Sequence, residues 1–349
     1  MTIKHLPEPR LYPTASVSNR LIHLAQSVLT AAAADRDLQC EALQDALREL
    51  LERDEVLMIS VALNMAPSQD VYEVLWRAMR DAVEAAPGRH AVIFALPLVL
   101  VAGSRQRATL PDRIADVDGL DRIFRQHGVF AADGEVFLSG KLLHPDAVLG
   151  ISPAQLYRFT RQLADAARGL PLDLPASPVT VKEEGVFLRY LLGVAIQSGD
   201  GPAPVRFSPT VGAWGMPLMK FIGEELKTEG VTLFPIARSL APLMQAMDAG
   251  NRARLEVALQ VFASARLRAL RSEGRTPVVR LSAHRGGEIH VEISASGSES
   301  AGERFVWPLS PLDSVRQIEE DFLQLLQECL VENVMVETDV QAALPLGNG

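Results

Sequence analysis

The chain has 349 residues, of which 48% are hydrophobic and 22% are charged, and its formal net charge is −9. This composition is typical of a folded globular protein, and the net charge argues against a surface that binds nucleic acid or anionic lipid as a whole. Two widely separated cysteines, Cys40 and Cys329, predict neither a disulfide framework nor a zinc site. We expect no cofactor and a cytoplasmic location, because the N-terminal stretch MTIKHLPEPRLYPTAS lacks the apolar core of a signal peptide.

An extended arm followed by a helical region is predicted for residues 1–86. Prolines disfavour regular structure before Ser16, and apolar residues then recur at helical spacing. The first predicted helix begins at Ser16. Three more cover 38–53, 56–63 and 68–85, and Pro87-Gly88 ends the last of them.

Residues 91–102, AVIFALPLVLVA, form an unbroken apolar run. The run is too short to cross a bilayer, which takes about 20 apolar residues. Its β-branched residues favour a strand buried on both faces, and Pro97 indicates a bulge or an edge position. We therefore predict a buried strand and no membrane segment.

From residue 87 the pattern strand, helix, Gly-Val, strand, helix appears twice. The first half, 87–170, has predicted strands at 91–101 and 136–138 and helices at 120–126 and 153–167. The second half, 181–340, has predicted strands at 187–196 and 231–236 and helices at 217–228 and 240–247. This order suggests an internal repeat, although alternation is common to α/β proteins in general. The proline-rich stretch 169–180 is the predicted boundary between the halves.

The second half continues into short alternating runs. Residues 278–281, 288–293 and 304–306 predict an antiparallel meander, followed by a helix at 311–331 and a strand at 334–336. The predicted fold is therefore α/β, with a helical N-terminal region, two strand-helix-strand-helix halves that a repeat would relate, and a C-terminal antiparallel meander.

The order of several short motifs resembles an uncharacterised bacterial family catalogued as domain of unknown function 2863. The motifs are Leu96-Pro97 followed by Ser104-Arg105 and Pro111, then Arg189-Tyr190-Leu191-Leu192, Leu233-Phe234-Pro235 and Val306-Trp307-Pro308-Leu309. The resemblance implies a bacterial protein, but it implies no activity and no catalytic residues.

The buried strand ends at Gly103-Ser104-Arg105-Gln106-Arg107. Open α/β sheets bind ligands at strand ends, and Ser104, Arg105 and Arg107 could hold a phosphate or a carboxylate. No helix N-terminus follows directly, so a strand end with solvated arginines is the alternative.

Opposite charges are segregated along the second half of the chain. Residues 252–280 carry seven arginines against two glutamates, and residues 313–339 carry eight acidic side chains against one arginine. The two segments can complement each other within the chain or between subunits, and Arg266, Arg268 and Arg271 are candidates for binding a partner. Nucleic-acid binding is the weaker alternative, because the basic segment has few aromatic residues for base stacking.

Three other stretches allow more than one interpretation. Trp214 lies in the Gly-rich loop 210–217, where it could close over a ligand, contact a partner or fill its own core. The cluster His284, Glu288, His290 and Glu292 is either a metal site or the solvated face of a strand. Residues 133–141 resemble a phosphate-binding P-loop but fail its glycine spacing, lack its Ser/Thr and read as a strand.

No motif has the spacing needed for acid/base, metal or nucleophilic catalysis. We predict a non-enzymatic binding or adaptor protein that acts through a protein partner or as a homo-oligomer. The alternative is an enzyme or sensor that binds an anionic small molecule near Arg105 and Arg107.

Overall fold

The structure is a computed structural model of the chain. It describes residues 13–84, 91–103, 108–166, 179–181, 184–196, 203–207, 214–227, 230–234, 240–284, 287–297, 302–313, 315–329 and 334–336. The predicted boundary at 169–180 and the loop 104–107 therefore fall wholly or mostly outside the described residues.

Helices and strands alternate after a helical start. The helices are α1 (Pro13–Thr30), α2 (Arg36–Glu52), α3 (Val56–Asn64), α4 (Gln69–Glu84), α5 (Val117–Gln126), α6 (Pro145–Leu149), α7 (Pro153–Ala166), α8 (Gly215–Glu225), α9 (Leu243–Ser272) and α10 (Val315–Glu328). The strands are β1 (Ala91–Ala102), β2 (Ala108–Leu110), β3 (Glu135–Leu143), β4 (Val179–Val181), β5 (Gly185–Ile196), β6 (Val231–Phe234), β7 (Ala241–Pro242), β8 (Pro277–His284), β9 (Glu288–Ala295), β10 (Glu303–Pro308) and β11 (Val334–Val336). The α/β class, the helical start and the C-terminal meander are confirmed.

The central sheet has the strand order β3-β5-β1-β6, with β7 also pairing with β1. Strands β1 and β5 run antiparallel through its middle, paired from Ala91 with Ile196 to Ala102 with Gly185. The second strand of each half lies beside the first strand of the other half, because β3 pairs with β5 and β6 pairs with β1. The two predicted halves thus share one sheet.

Both faces of the central sheet are covered. Alternate residues of β1 and β5 enter two separate apolar clusters. One cluster is shared with α1 to α4, α7 and the start of α9, and the other with α5 and α8. Burial on both faces explains why β1 is a continuous apolar run.

Pro97 lies opposite Tyr190 in this sheet, and on its other side β7 pairs with residues 94–95 while β6 pairs with residues 99–102. No described residue pairs with Pro97 on that second side. A proline donates no backbone hydrogen bond, so the gap between β6 and β7 is where it can be accommodated.

Helix α9 departs from the prediction. A helix at 240–247 was predicted, and the structure has one longer helix over Leu243–Ser272. The helix continues through Gly250, which lies against the central sheet. A Cβ there would stand 2.8 Å from the Tyr190 hydroxyl and 2.9 Å from Pro97 Cβ.

The far half of α9 packs on a second sheet with the order β10-β9-β8-β11. Strands β8, β9 and β10 form the antiparallel meander, and β11 joins β8 in parallel. Residues 135–141 of the P-loop-like stretch lie in β3. This agrees with the prediction that the stretch is a strand and not a P-loop. Among the described residues, the search for a helix long and apolar enough to cross a membrane found none.

Candidate anion-binding site

Arg189 is buried in the middle of β5, with a relative exposure of 1%. Its Nη1 atom donates to the carbonyl of Leu188 at 3.3 Å. Its Nε and Nη2 atoms are buried, and no hydrogen-bond partner for them was found. Burial lowers the pKa of Arg189, and the nearby charge of Asp112 opposes that effect. A guanidinium has five donors, so this fork is largely unsatisfied.

The walls around Arg189 are apolar. Strand alternation places its side chain on the same face as Phe187 and Leu191, and Leu98 lies directly across on β1. Leu98 and Leu191 are both buried in the apolar cluster on that face, and Phe187 packs against it. The charged group therefore lies in a low-dielectric environment, where an unpaired charge is costly.

The backbone of Asp112 lies beside β3. Its carbonyl accepts a hydrogen bond of 2.8 Å from the amide of Leu142, and Leu142 pairs with Leu191. Arg189 lies two residues before Leu191 on β5. The Asp112 side chain is half-buried, and no ion pair or hydrogen bond joins it to Arg189.

The sequence-predicted anion residues Ser104, Arg105 and Arg107 lie outside the described residues. The chain is described again from β2, which pairs with β4, and it then reaches Asp112. An anion site at these residues stays a prediction.

The sequence analysis missed Arg189. The signal was present, because Arg189 is the one charged residue in the twelve-residue strand β5, GVFLRYLLGVAI. A charge inside a strand that is otherwise apolar on both faces departs from the pattern of a buried strand.

Trp214 has a relative exposure of 4% and lies at the start of α8. Its ring packs against Phe124 of α5, with 5.7 Å between ring centroids. The ring fills the core, and it is not displayed for a partner.

The three arginines predicted to bind a partner do not share one environment. Arg266 pairs with Glu303 of β10 at 3.0 Å. Arg268 and Arg271 instead line an open groove of about 650 Å³ between α9 and the end of α10. The Arg271 Nη2 atom donates to the carbonyl of Cys329 at 3.0 Å.

The basic and acidic segments do complement each other within the chain at Arg252. This guanidinium lies 2.5 Å from an oxygen of Asp321 and 3.6 Å from one of Asp313. Both partners belong to the acidic stretch predicted to offset the arginines.

The histidine cluster lies on the outer face of the second sheet. The rings of His284 and His290 stack with 3.8 Å between centroids, and His290 Nε2 lies 3.1 Å from Glu288 Oε2. Among the described residues, no three histidine, cysteine or acidic side chains are arranged to hold a metal ion.

Two carboxylates lie where α4 meets the first turns of α9, that of the half-buried Glu84 and that of Asp248, a residue that is exposed overall. Glu84 accepts a hydrogen bond of 2.8 Å from the amide of Met244, and burial raises its pKa to about 7. Burial likewise raises the pKa of Asp248 to about 6, while Arg80 on α4 opposes the shift. The hydrogen bond from Met244 to Glu84 joins the helical region to α9.

Comparisons of the chain with protein-family models, with curated proteins and with solved structures found no match. The resemblance to the family of unknown function therefore stays a prediction, and the functional argument depends on the side chains alone.

Proposed function

We propose that the protein binds an anionic small molecule, with Arg189 as the buried anchor. The observation that carries the proposal is a guanidinium with a relative exposure of 1% and with Nε and Nη2 unpartnered. Carboxylates and phosphates accept two parallel hydrogen bonds from such a fork. A bound anion would satisfy the donors that the described residues leave without acceptors.

The cost of burying Arg189 without hydrogen-bond acceptors supports a role in binding. Burying an ionised group without a hydrogen-bonded partner costs roughly several kcal/mol. Proteins with an apolar residue of similar volume at such a position are often as stable or more stable. A strand built only for packing would have an apolar residue at position 189. This role agrees with the alternative predicted from the sequence, an enzyme or sensor for an anionic ligand.

The test is a thermal-shift measurement on the full chain with a panel of anions. The panel holds inorganic phosphate, short carboxylic acids and the twenty amino acids. At least one probe should raise the melting temperature of the wild type, and Arg189→Met should remove that shift while remaining folded.

Arg122→Met is the matched control, because Arg122 is exposed on α5. This variant should respond to the probes as the wild type does. If no probe stabilises the wild type, or if Arg189→Met responds equally, Arg189 does not anchor an anion.

A second candidate function is the predicted binding of a protein partner, and the groove lined by Arg268 and Arg271 favours it. The positive side chains suit an acidic segment. Arg268→Glu should abolish co-purification of a partner from the native host, and Arg122→Glu should not. Equal recovery with both variants would argue against the groove.

A further inference from the structure

Helices α9 and α10 lie side by side on the second sheet and run in the same direction. Arg252 of α9 pairs with Asp321 of α10, and further along both helices the Arg271 Nη2 atom donates to the carbonyl of Cys329. The groove of about 650 Å³ opens between the C-terminal ends of the two helices. One side of the groove therefore belongs to α9 and the other to α10.

The two sides of the groove carry opposite charges. Residues 260–272 of α9 include three arginines and no acidic residue, and the exposed Arg268 and Arg271 line the groove. Residues 317–328 of α10 include four acidic residues and no basic one, and the exposed Glu328 lines the groove from that side. The lining of α9 extends from Gln260 to Ser272, which is about 18 Å along the helix.

Arg268 and Glu328 border the groove without neutralising each other. For Arg268, no hydrogen bond or ion pair is found among the described residues, whereas Arg266 pairs with Glu303. The carboxylate of Glu328 accepts a hydrogen bond of 3.3 Å from the side chain of Gln324 on its own helix. A basic and an acidic surface thus lie next to each other.

The identity of the partner rests on the second candidate function, in which a protein binds this groove. We propose that the partner is a second copy of the chain, related to the first by a twofold axis that runs along the groove. Such an axis exchanges the two sides of the groove, so α9 of each copy lies over α10 of the other. Arg268 of one copy then meets Glu328 of the partner copy, and symmetry forms the same contact a second time.

The distribution of charge favours this arrangement over two others. A copy turned so that α9 lies over α9 would bring arginines against arginines, and like charges in contact cost free energy. An unrelated acidic segment would complement Arg268 and Arg271 but would leave Glu328 facing a like charge. A surface that is acidic opposite α9 and basic opposite α10 complements both sides, and the chain itself has this surface.

Sedimentation velocity on the full chain tests the interface, over a range of concentrations at low ionic strength and again at high salt. The wild type should form a dimer that high salt weakens, because salt screens exposed ion pairs. Arg268→Glu and Glu328→Arg should each weaken the dimer about tenfold or more, since each reversal brings two pairs of like charges into contact. Arg122→Glu, on the exposed surface of α5, is the matched control and should leave the dimer unchanged.

Mixing the two reversed variants assigns the contact. A copy with Arg268→Glu and a copy with Glu328→Arg have opposite charges at both contacts of the pair that they form. The equimolar mixture should therefore dimerise about as well as the wild type, although each variant alone does not. This recovery also shows that both variants are folded.

A wild type that stays monomeric under all these conditions overturns the second copy as the partner. A dimer that either reversal leaves intact, or that the mixture fails to restore, overturns it as well. If the monomeric wild type retains a host protein that Arg268→Glu loses, the groove remains a site for a different partner. Binding of an anion at Arg189 is measured separately and does not depend on these outcomes.

Discussion

Replacing Glu84 by glutamine tests how burial of a carboxylate at the start of α9 sets the pH dependence of stability. Glutamine has the same shape as a protonated glutamate, and its Oε1 atom can still accept the hydrogen bond from the Met244 amide. The change therefore removes the charge and preserves the contact. The position matters because α9 packs against both sheets.

The magnitude follows from the pKa. Folding raises the pKa of Glu84 from 4.5 to about 7. Since one pKa unit corresponds to about 1.4 kcal/mol, the ionised carboxylate costs the folded state about 3 kcal/mol. Because the folded pKa is the higher one, the native state binds more protons than the unfolded state between these values. The free energy of unfolding of the wild type should therefore rise as the pH falls from 8 towards 5.

Glu84→Gln should be more stable than the wild type by about 3 kcal/mol at pH 8, and the difference should fall to about 1 kcal/mol or less at pH 5. Urea unfolding followed by tryptophan fluorescence measures both values. Glu41→Gln, at an exposed position of α2, is the matched control and should show no comparable change with pH. A pH-independent difference for Glu84→Gln, or a variant less stable than the wild type at pH 8, would refute the reasoning.

Three further positions test other parts of the structure. Asp248→Asn should also be more stable than the wild type at pH 8, and this advantage should shrink as the pH falls below 6, because desolvation raises the Asp248 pKa from 3.8 to about 6; urea unfolding above and below that pKa checks this, and a constant difference would contradict it. Gly193→Ala should destabilise by about 1–3 kcal/mol, since its Cβ would stand 2.3 Å from Phe94 Cζ. Phe94→Leu in the same chain should recover part of that loss in thermal unfolding. If the destabilising effects of the two substitutions simply add, the expected clash between the new Cβ at position 193 and the Phe94 ring is not their cause. Trp214→Ala should cost about 3–5 kcal/mol, because it empties a filled core position; unchanged stability would return Trp214 to the surface role considered from the sequence.

The sequence predicted the elements better than their arrangement. Hydrophobic periodicity located α2, α3 and α4 within a few residues, because the residues that alternate between core and solvent are neighbours in the chain. Gly128 has a positive φ and follows the end of α5, as its Gly-Val motif predicts, whereas α8 ends at Glu225, before the predicted end at Gly230. The predicted length of α9 was wrong, because the helix expected at 240–247 continues to Ser272.

The candidate site was likewise not located by the sequence alone. The sequence analysis placed it on the arginines after β1, where a strand end and basic residues coincide. A single charge within the apolar strand β5 is a local signal for Arg189, but it does not show whether the side chain is buried or lies at an edge. Its burial depends on β1, which lies far away in the sequence.

The sequence by itself determined which segments are helices and strands, which strands are buried on both faces, and where opposite charges concentrate. Only the tertiary structure decided that β3 and β6 each pair with the other half's strand, that Gly250 accommodates the sheet, and that Arg189 faces an apolar layer with Asp112 at its margin. The physical reason is that periodicity reports which face of an element is apolar, whereas the choice of a partner for that face is made by long-range packing.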